Sequence, residues 1–325
     1  MITFIVTTYN LRDQLLRRCF ESIVSQGLER KDYEIIVVDD ESDISPQHII
    51  EEFTERADIH LHIQPHRRQG AARNLAIQHA RGEWIQFVDG DDYLFAQTIA
   101  PCLAMAESHE LDLLMFGFRE VEGMSTESSP CEDVCQELTI TTGNEYMLSH
   151  NLFGCCWPLL FRRTLLDDDA HGEPLRFAEG IYIEDEEFVT RLVWRAQRMA
   201  KTDSIVYAYY QRPGSTVHNR SREHTDELFT NYFVVLRLML DFEASIATQP
   251  HEGVTRKVRF FAVDILRRAL REEDWAERWE EATLQLRPLG LYPIPSASYS
   301  WKYRIFAMLA KCTMGRKLLR MIEKK

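Results

Sequence analysis

What the 325-residue sequence lacks narrows its function first. Its seven cysteines (Cys19, Cys102, Cys131, Cys135, Cys155, Cys156 and Cys312) are an odd number, at spacings that fit neither a paired C-x-x-C zinc site nor a secreted disulfide framework. Cys131 and Cys135 suit a metal site or a disulfide, but with no two further ligands nearby in sequence free thiols are the expected reading. No apolar run reaches transmembrane length. The opening stretch ITFIVTTYN has no basic leader and no cleavage site, so a buried strand is expected there rather than a signal peptide, and the cytoplasm is the default compartment. A positive excess is also missing. With 38 Lys and Arg against 51 Asp and Glu, the formal charge of −13 argues against a nucleic-acid partner. No G-x-G-x-x-G follows the first strand, which argues against a dinucleotide-binding dehydrogenase.

What is present is an ordinary globular balance, with 45% hydrophobic and 27% charged residues. The first hundred residues alternate strand and helix patterns. Ile2–Thr7, Glu34–Val38, Ile59–Ile63 and Trp84–Val88 form strand-like runs, and Leu11–Ser25, Gln47–Arg56 and Ala71–Ala80 have helical spacing. This rhythm predicts an α/β fold, Rossmann-like, with a mainly parallel sheet covered by helices on both faces. Ligands bind such sheets beyond the carboxyl ends of the strands. Polar clusters fall at those ends: Thr8-Tyr9-Asn10, Asp39-Asp40-Glu41-Ser42 and Asp89-Gly90-Asp91-Asp92. Helices are expected over 143–151 and 183–198, and a strand over 205–210. Beyond about residue 221 the pattern becomes helical, with Leu228–Phe242 and Val254–Arg271 as long amphipathic segments and a proline-containing break at 287–298.

Each cluster has two readings. Three carboxylates beside a glycine at 89–92 suit a hard divalent cation, Mg2+ or Mn2+, with open positions for phosphate oxygens. They equally suit a solvated turn leading into a helix. Asp39 and Asp40 can accept hydrogen bonds from a base or ribose, or form a capped turn. Arg73, in Gly70-Ala71-Ala72-Arg73-Asn74, can fork onto a ligand or lie on a helix surface. The acids of Glu184-Asp185-Glu186-Glu187 complement a helix N-terminus, and one of them can be a general base. Arg212-Pro213-Gly214-Ser215-Thr216 has the makings of an anion-binding turn, with His218 as a further candidate metal ligand.

Taken in order, Thr7-Thr8-Tyr9-Asn10, Val38-Asp39-Asp40-Glu41-Ser42, Gly70-x-x-Arg73-Asn74, Phe87-Val88-Asp89-Gly90-Asp91-Asp92, Glu179–Asp185 and Arg212-x-x-Ser215 resemble glycosyltransferase family 2, the inverting GT-A enzymes of bacterial surface-polysaccharide synthesis. The resemblance covers about residues 1–220. It implies a catalytic domain over 1–220, with a nucleotide-sugar half to about 95 and an acceptor half over 96–220, followed by a helical region over 221–325. It implies transfer of a sugar from a nucleotide-diphosphate donor, a UDP-sugar first, to a hydroxyl of a saccharide or lipid-linked saccharide. Thr7, Tyr9, Asp39, Asp40, Arg73, Asp89 and Gly90 would contact the nucleoside, Arg212 and Ser215 the diphosphate, Asp91 and Asp89 the metal, and Asp185 would be the base. The alternatives are a nucleotidyltransferase of related fold, which needs a basic glycine-rich loop after the first strand, and a non-catalytic nucleotide-sugar binder.

Residues 301–325 hold eight Lys or Arg against one Glu, interleaved with Trp301, Ile305, Phe306, Leu318 and Ile322. This tail suits peripheral contact with the inner face of a membrane, or a helix docked on the protein with a solvated basic face.

Overall fold

The computed structural model of the protein describes residues 1–123, 138–167, 173–211 and 221–323. Strands β1 (Ile2–Thr8) and β2 (Tyr33–Asp39) are buried at every position, which explains their largely apolar sequences. Near their amino ends two polar residues, Thr3 and Glu34, hydrogen-bond each other at 2.6 Å. β3 (Ile59–Ile63) pairs with β2, and β4 (Trp84–Asp89) with β1, all in parallel. Helices α1 (Asp13–Val24), α2 (Gln47–Glu51) and α3 (Arg68–His79) make the crossovers. In this register Thr8 lies opposite Asp39 and Thr7 opposite Asp89, so three polar strand ends reach the same level.

The sheet continues through β5 (Tyr93–Leu94), β6 (Leu113–Val121), β7 (Leu159–Arg162) and β8 (Met199–Tyr210), in the order β3-β2-β1-β4-β7-β6-β8-β5. The β4–β7, β6–β7 and β5–β8 pairings are antiparallel and β6–β8 is parallel, so the whole sheet is mixed. Helices α4 (Ile99–Ser108), α5 (Gly143–Ser149) and α6 (Glu184–Arg195) intervene. Phe4, Phe20, Ile35, Trp84 and Leu160 belong to one buried cluster beneath the parallel strands. β6 and β8 depart from the sequence patterns in different ways. β6 lacks alternation because most of its length is buried, and β8 begins well before the apolar stretch 205–210.

The chain divides into two compact units, one of Met1–Gly143 and Phe153–Thr225, the other of Asn144–Leu152 and Asp226–Lys325. The sequence boundary at 220 and the observed one after Thr225 differ by a few residues, and 144–152 join the helical unit. That unit is built from α7 (Arg222–Ser245), α8 (Glu252–Arg271), α9 (Trp275–Leu286), α10 (Trp301–Leu309) and α11 (Thr313–Glu323). Arg256 of α8 donates to Met147 O at 2.8 Å and to Asn151 Oδ1 at 2.6 Å, which ties 144–152 into it. Among the described residues no helix is long and apolar enough to cross a membrane.

Candidate active site

A cavity of about 370 Å³ opens beyond the carboxyl ends of β1, β2 and β4. Its wall includes Thr7, Tyr9, Asp40, Asp89, Gly90, Asp91 and Glu184, so residues far apart in sequence meet at one place. Thr7 Oγ1 is buried with no hydrogen-bond partner among the described residues. Such an orphaned hydroxyl beside a cavity is a ready contact for a polar ligand. Tyr9 is half exposed and stacks on His66 at 4.3 Å between ring centroids. Asp40 anchors the loop before α3: its Oδ1 accepts from Gln64 Nε2 at 2.7 Å and Arg67 N at 2.9 Å, and its Oδ2 from Arg68 N at 2.8 Å. Asp39 is not among the cavity-lining residues. Its carboxylate accepts from the backbone and hydroxyl of Ser42, holding the turn after β2.

The acidic turn after β4 is held open by its neighbours. Gly90 is required by close packing, because a Cβ there would lie 2.8 Å from Leu11 Cδ1 and 2.9 Å from Thr7 O. Asp92 faces inward, where it accepts from Tyr207 Oη at 2.6 Å and Tyr210 N at 2.7 Å. Burial, reinforced by Asp91 and Asp89, pushes its carboxyl well above the usual range. Asp92 is therefore a structural member of the turn. Tyr207 Oη also accepts from Asp89 N at 3.0 Å, so one phenol fixes both ends of the acidic turn. Asp89 and Asp91 remain on the cavity side.

Arg73 lies below this wall, only 2% exposed. Its Nη1 donates to Glu184 Oε1 at 2.8 Å and Asp185 Oδ1 at 2.6 Å, and its Nη2 to Asp89 Oδ1 at 2.9 Å. A single guanidinium thus joins the turn after β4 to the start of α6. Burial opposes the charge on Arg73, but the carboxylates around it, Asp185 foremost, hold it firmly protonated. The resemblance assigned Arg73 a nucleoside contact; the structure places its guanidinium among three carboxylates, outside the cavity lining.

The approach to α6 is equally constrained. Asn74 clasps the incoming chain through Phe177, with both amide contacts at 2.9 Å. Gly70 packs so closely on it that a Cβ would sit 2.5 Å from Ala178 O. Ile183, the residue before α6, has φ of 59°, a left-handed conformation rarely taken by a β-branched residue. Strain of this kind persists where the surroundings over-determine it. It delivers Glu184 to the cavity wall and Asp185 just behind, with a side chain 16% exposed.

Burial raises Glu184 from its ordinary 4.5 to about 8, Asp185 adding to the shift and Arg73 opposing it. Asp185 is also raised by burial, against the pull of Arg73. The sign for stability follows by linkage. An acid whose folded pKa is raised contributes stability that is complete below its unfolded pKa and lost as pH rises through the folded one. The unfolding midpoint of the ligand-free protein is expected to fall between about pH 4.5 and about pH 8. Glu184→Gln should flatten that fall. A thermal unfolding series across this window checks it, and an equal slope in the variant would remove Glu184 as its source.

The acids suit a hard divalent cation, since Asp89 and Asp91 face an open cavity and hydrogen bonding leaves Asp89 Oδ2 unengaged among the described residues. A second acidic group, Glu34, Asp58 and His60, lies at the opposite ends of β2 and β3. There Arg81 Nη2 stands 2.6 Å from both carboxylates and already supplies the positive charge. Arg212, Ser215 and His218 lie outside the described residues. The sequence patterns did not single out His66, Arg68, Tyr182, Tyr209 or Tyr210, all of which line the cavity. The tyrosine-rich end of β8, two residues before Arg212 in the sequence, was the available signal for the last two.

Comparison with known proteins identifies the family and the fold. The sequence model of glycosyl transferase family 2 matches residues 3–169. EpsJ of Bacillus subtilis (strain 168), an uncharacterised glycosyltransferase, is 28% identical over 261 residues, covering 78% of this chain and 71% of its own. The poly(ribitol-phosphate) β-N-acetylglucosaminyltransferase TarS of Staphylococcus aureus (strain MW2) is 25% identical over 242 residues, 72% of this chain but 39% of TarS. The crystal structure of S. aureus TarS 1–349 in complex with UDP-GlcNAc superposes with a TM-score of 0.66 at 18% identity, covering 99% of this chain and 89% of that one. At that identity the superposition speaks for the fold, which is GT-A. The family model spans just over half of the sequence, and the chain is a glycosyltransferase belonging to glycosyl transferase family 2.

Proposed function

We propose that the protein is an inverting glycosyltransferase that moves a sugar from a UDP-sugar to a hydroxyl of a saccharide or lipid-linked saccharide in surface-polysaccharide or glycolipid synthesis, working on the cytoplasmic side of the membrane. The observation that carries this reading is the Arg73 fork, which holds Asp89 of the acidic turn and Asp185 of α6 to one centre. EpsJ and TarS, both named glycosyltransferases, support the reaction class, and the UDP-GlcNAc complex of TarS supports the uridine donor.

Tyr9 and the Thr7 hydroxyl would hold the nucleobase and ribose, beside the loop that Asp40 anchors. Asp39 serves them by fixing the turn that carries Asp40, and Gly90 by letting the acidic turn approach β1. Arg73 acts on the donor through Asp89. Asp91 with Asp89 would hold Mn2+ or Mg2+, and His218 is a further candidate ligand. When bound, the cation offsets the negative charge of the diphosphate. Arg212 and Ser215 would contact that diphosphate. The acceptor oxygen forms its bond to the anomeric carbon as the carbon–oxygen bond to the diphosphate breaks on the opposite face, which inverts the centre. Asp185 takes the hydroxyl proton as that bond forms.

Only binding to the folded state raises an unfolding midpoint. UDP with Mn2+, at a hundredfold excess over Kd, is expected to raise it by roughly 5 to 10 °C, and GDP and dTDP by less. Asp91→Asn should remove most of the metal-dependent part of this shift. A full shift in the variant would take Asp91 out of the metal site, and a larger GDP shift would reassign the donor.

A further inference from the structure

The two last helices of the helical unit carry an outward side unlike ordinary protein surface. α10 turns Tyr303 and Phe306 inward, and α11 turns Gly315 and Leu319 inward. Opposite them, Trp301, Ile305 and Met308 of α10 and Met314, Leu318 and Met321 of α11 are between 42% and 82% exposed. Their spacing puts each trio on one side of its helix. α10 packs against α11, so both stripes belong to neighbouring elements. Single exposed apolar residues are normal, but a cluster of this extent marks an interaction surface.

The charges sort in the same way. Arg316 and Arg320 turn inward, their guanidinium groups over Trp279 at 5.6 Å and Trp275 at 5.4 Å. Glu323, the one acid of the segment, is engaged by Arg267 at 2.7 Å and Arg271 at 2.8 Å. Lys302, Arg304, Lys311 and Lys317 remain exposed around the apolar stripes. On a chain of net charge −13, this is a local basic and apolar surface.

We propose that the outward side of α10 and α11 docks on an anionic lipid bilayer. The apolar side chains enter the boundary between headgroups and acyl chains, and the four cations meet lipid phosphates. A bilayer supplies an apolar layer and a negative layer together. A second copy of this chain would instead bring like cations face to face across a two-fold interface. The helices lie on the membrane, since neither is long enough to span it. The inference concerns partitioning and does not depend on which sugar is transferred.

The test is co-sedimentation of the full chain with phosphatidylglycerol-containing vesicles and with phosphatidylcholine vesicles. Binding is expected to the first and to weaken with added salt. Reversing Lys302, Arg304, Lys311 and Lys317 to Glu should lower partitioning by roughly a hundredfold. Replacing Ile305, Met308, Leu318 and Met321 by Ser should lower it by roughly tenfold or more. These side chains already face solvent, so unchanged unfolding midpoints are expected and keep both variants informative. Absence of binding to phosphatidylglycerol vesicles overturns the proposal, as does equal binding to phosphatidylcholine. A dimer of the wild-type chain that the Ser substitutions dissociate, with vesicle binding unaltered, assigns the surface to a second copy instead.

Discussion

Asp185→Asn is expected to lower sugar transfer by roughly a thousandfold while leaving UDP binding nearly unchanged, because an amide cannot take the acceptor's proton. The substitution keeps size and shape, so the Arg73 contact at Asp185 Oδ1 can survive as a hydrogen bond to the amide oxygen. Its pH signature is distinctive. Burial raises Asp185 from its ordinary value, and the base works only when ionised. Transfer by the wild type should therefore rise with pH through a limb displaced upward from that of an ordinary aspartate, and the variant's residual activity should lack it. Glu184→Gln is the comparison, since Glu184 lines the cavity more directly. It should cost less than Asp185→Asn. The opposite ranking, with UDP affinity intact in both, would move the base to Glu184.

The parallel part of the sheet was legible because β1, β2 and β4 combine buried apolar runs with polar residues at their ends, two signals that reinforce each other. Their register then sets Thr7 opposite Asp89 and Thr8 opposite Asp39 with no further information. What stayed hidden depends on direction or on distant contacts. Arg73 is visible in sequence, but the way its fork points depends on where α6 begins, more than a hundred residues later. The role of Asp92 depends on Tyr207, 115 positions away, which turns one of three equivalent-looking acids inward. β6 was missed because LLMFGFREV shows neither the period of a half-buried strand nor that of an amphipathic helix. The tail was recognised as amphipathic, but its division into two helices with inward and outward apolar stripes required packing partners in α8 and α9 that no local pattern encodes.

Arg73→Gln should be the most destabilising single change in the site. It leaves Asp89, Glu184 and Asp185 buried or half-buried together without their shared cation. Breaking a buried ion pair from one side costs about 3–5 kcal/mol, which corresponds to a fall in unfolding midpoint on the order of 10 °C. Proton uptake by the abandoned acids moderates the loss, because removing Arg73 takes away an influence that lowers both Glu184 and Asp185. The variant should therefore be closest to wild type in acid and fall further behind as pH rises. In catalysis the positioning role separates from direct nucleoside contact. Positioning predicts a fall in kcat and an upward shift of its acid limb, with UDP affinity in the presence of chelator changed little. Arg73→Lys, which keeps the charge but not the planar fork, should recover more stability than kcat. A loss of UDP affinity matching the loss of kcat/KM, with no movement of the limb, would return Arg73 to the nucleoside and leave Asp89 and Asp185 to be organised by something else.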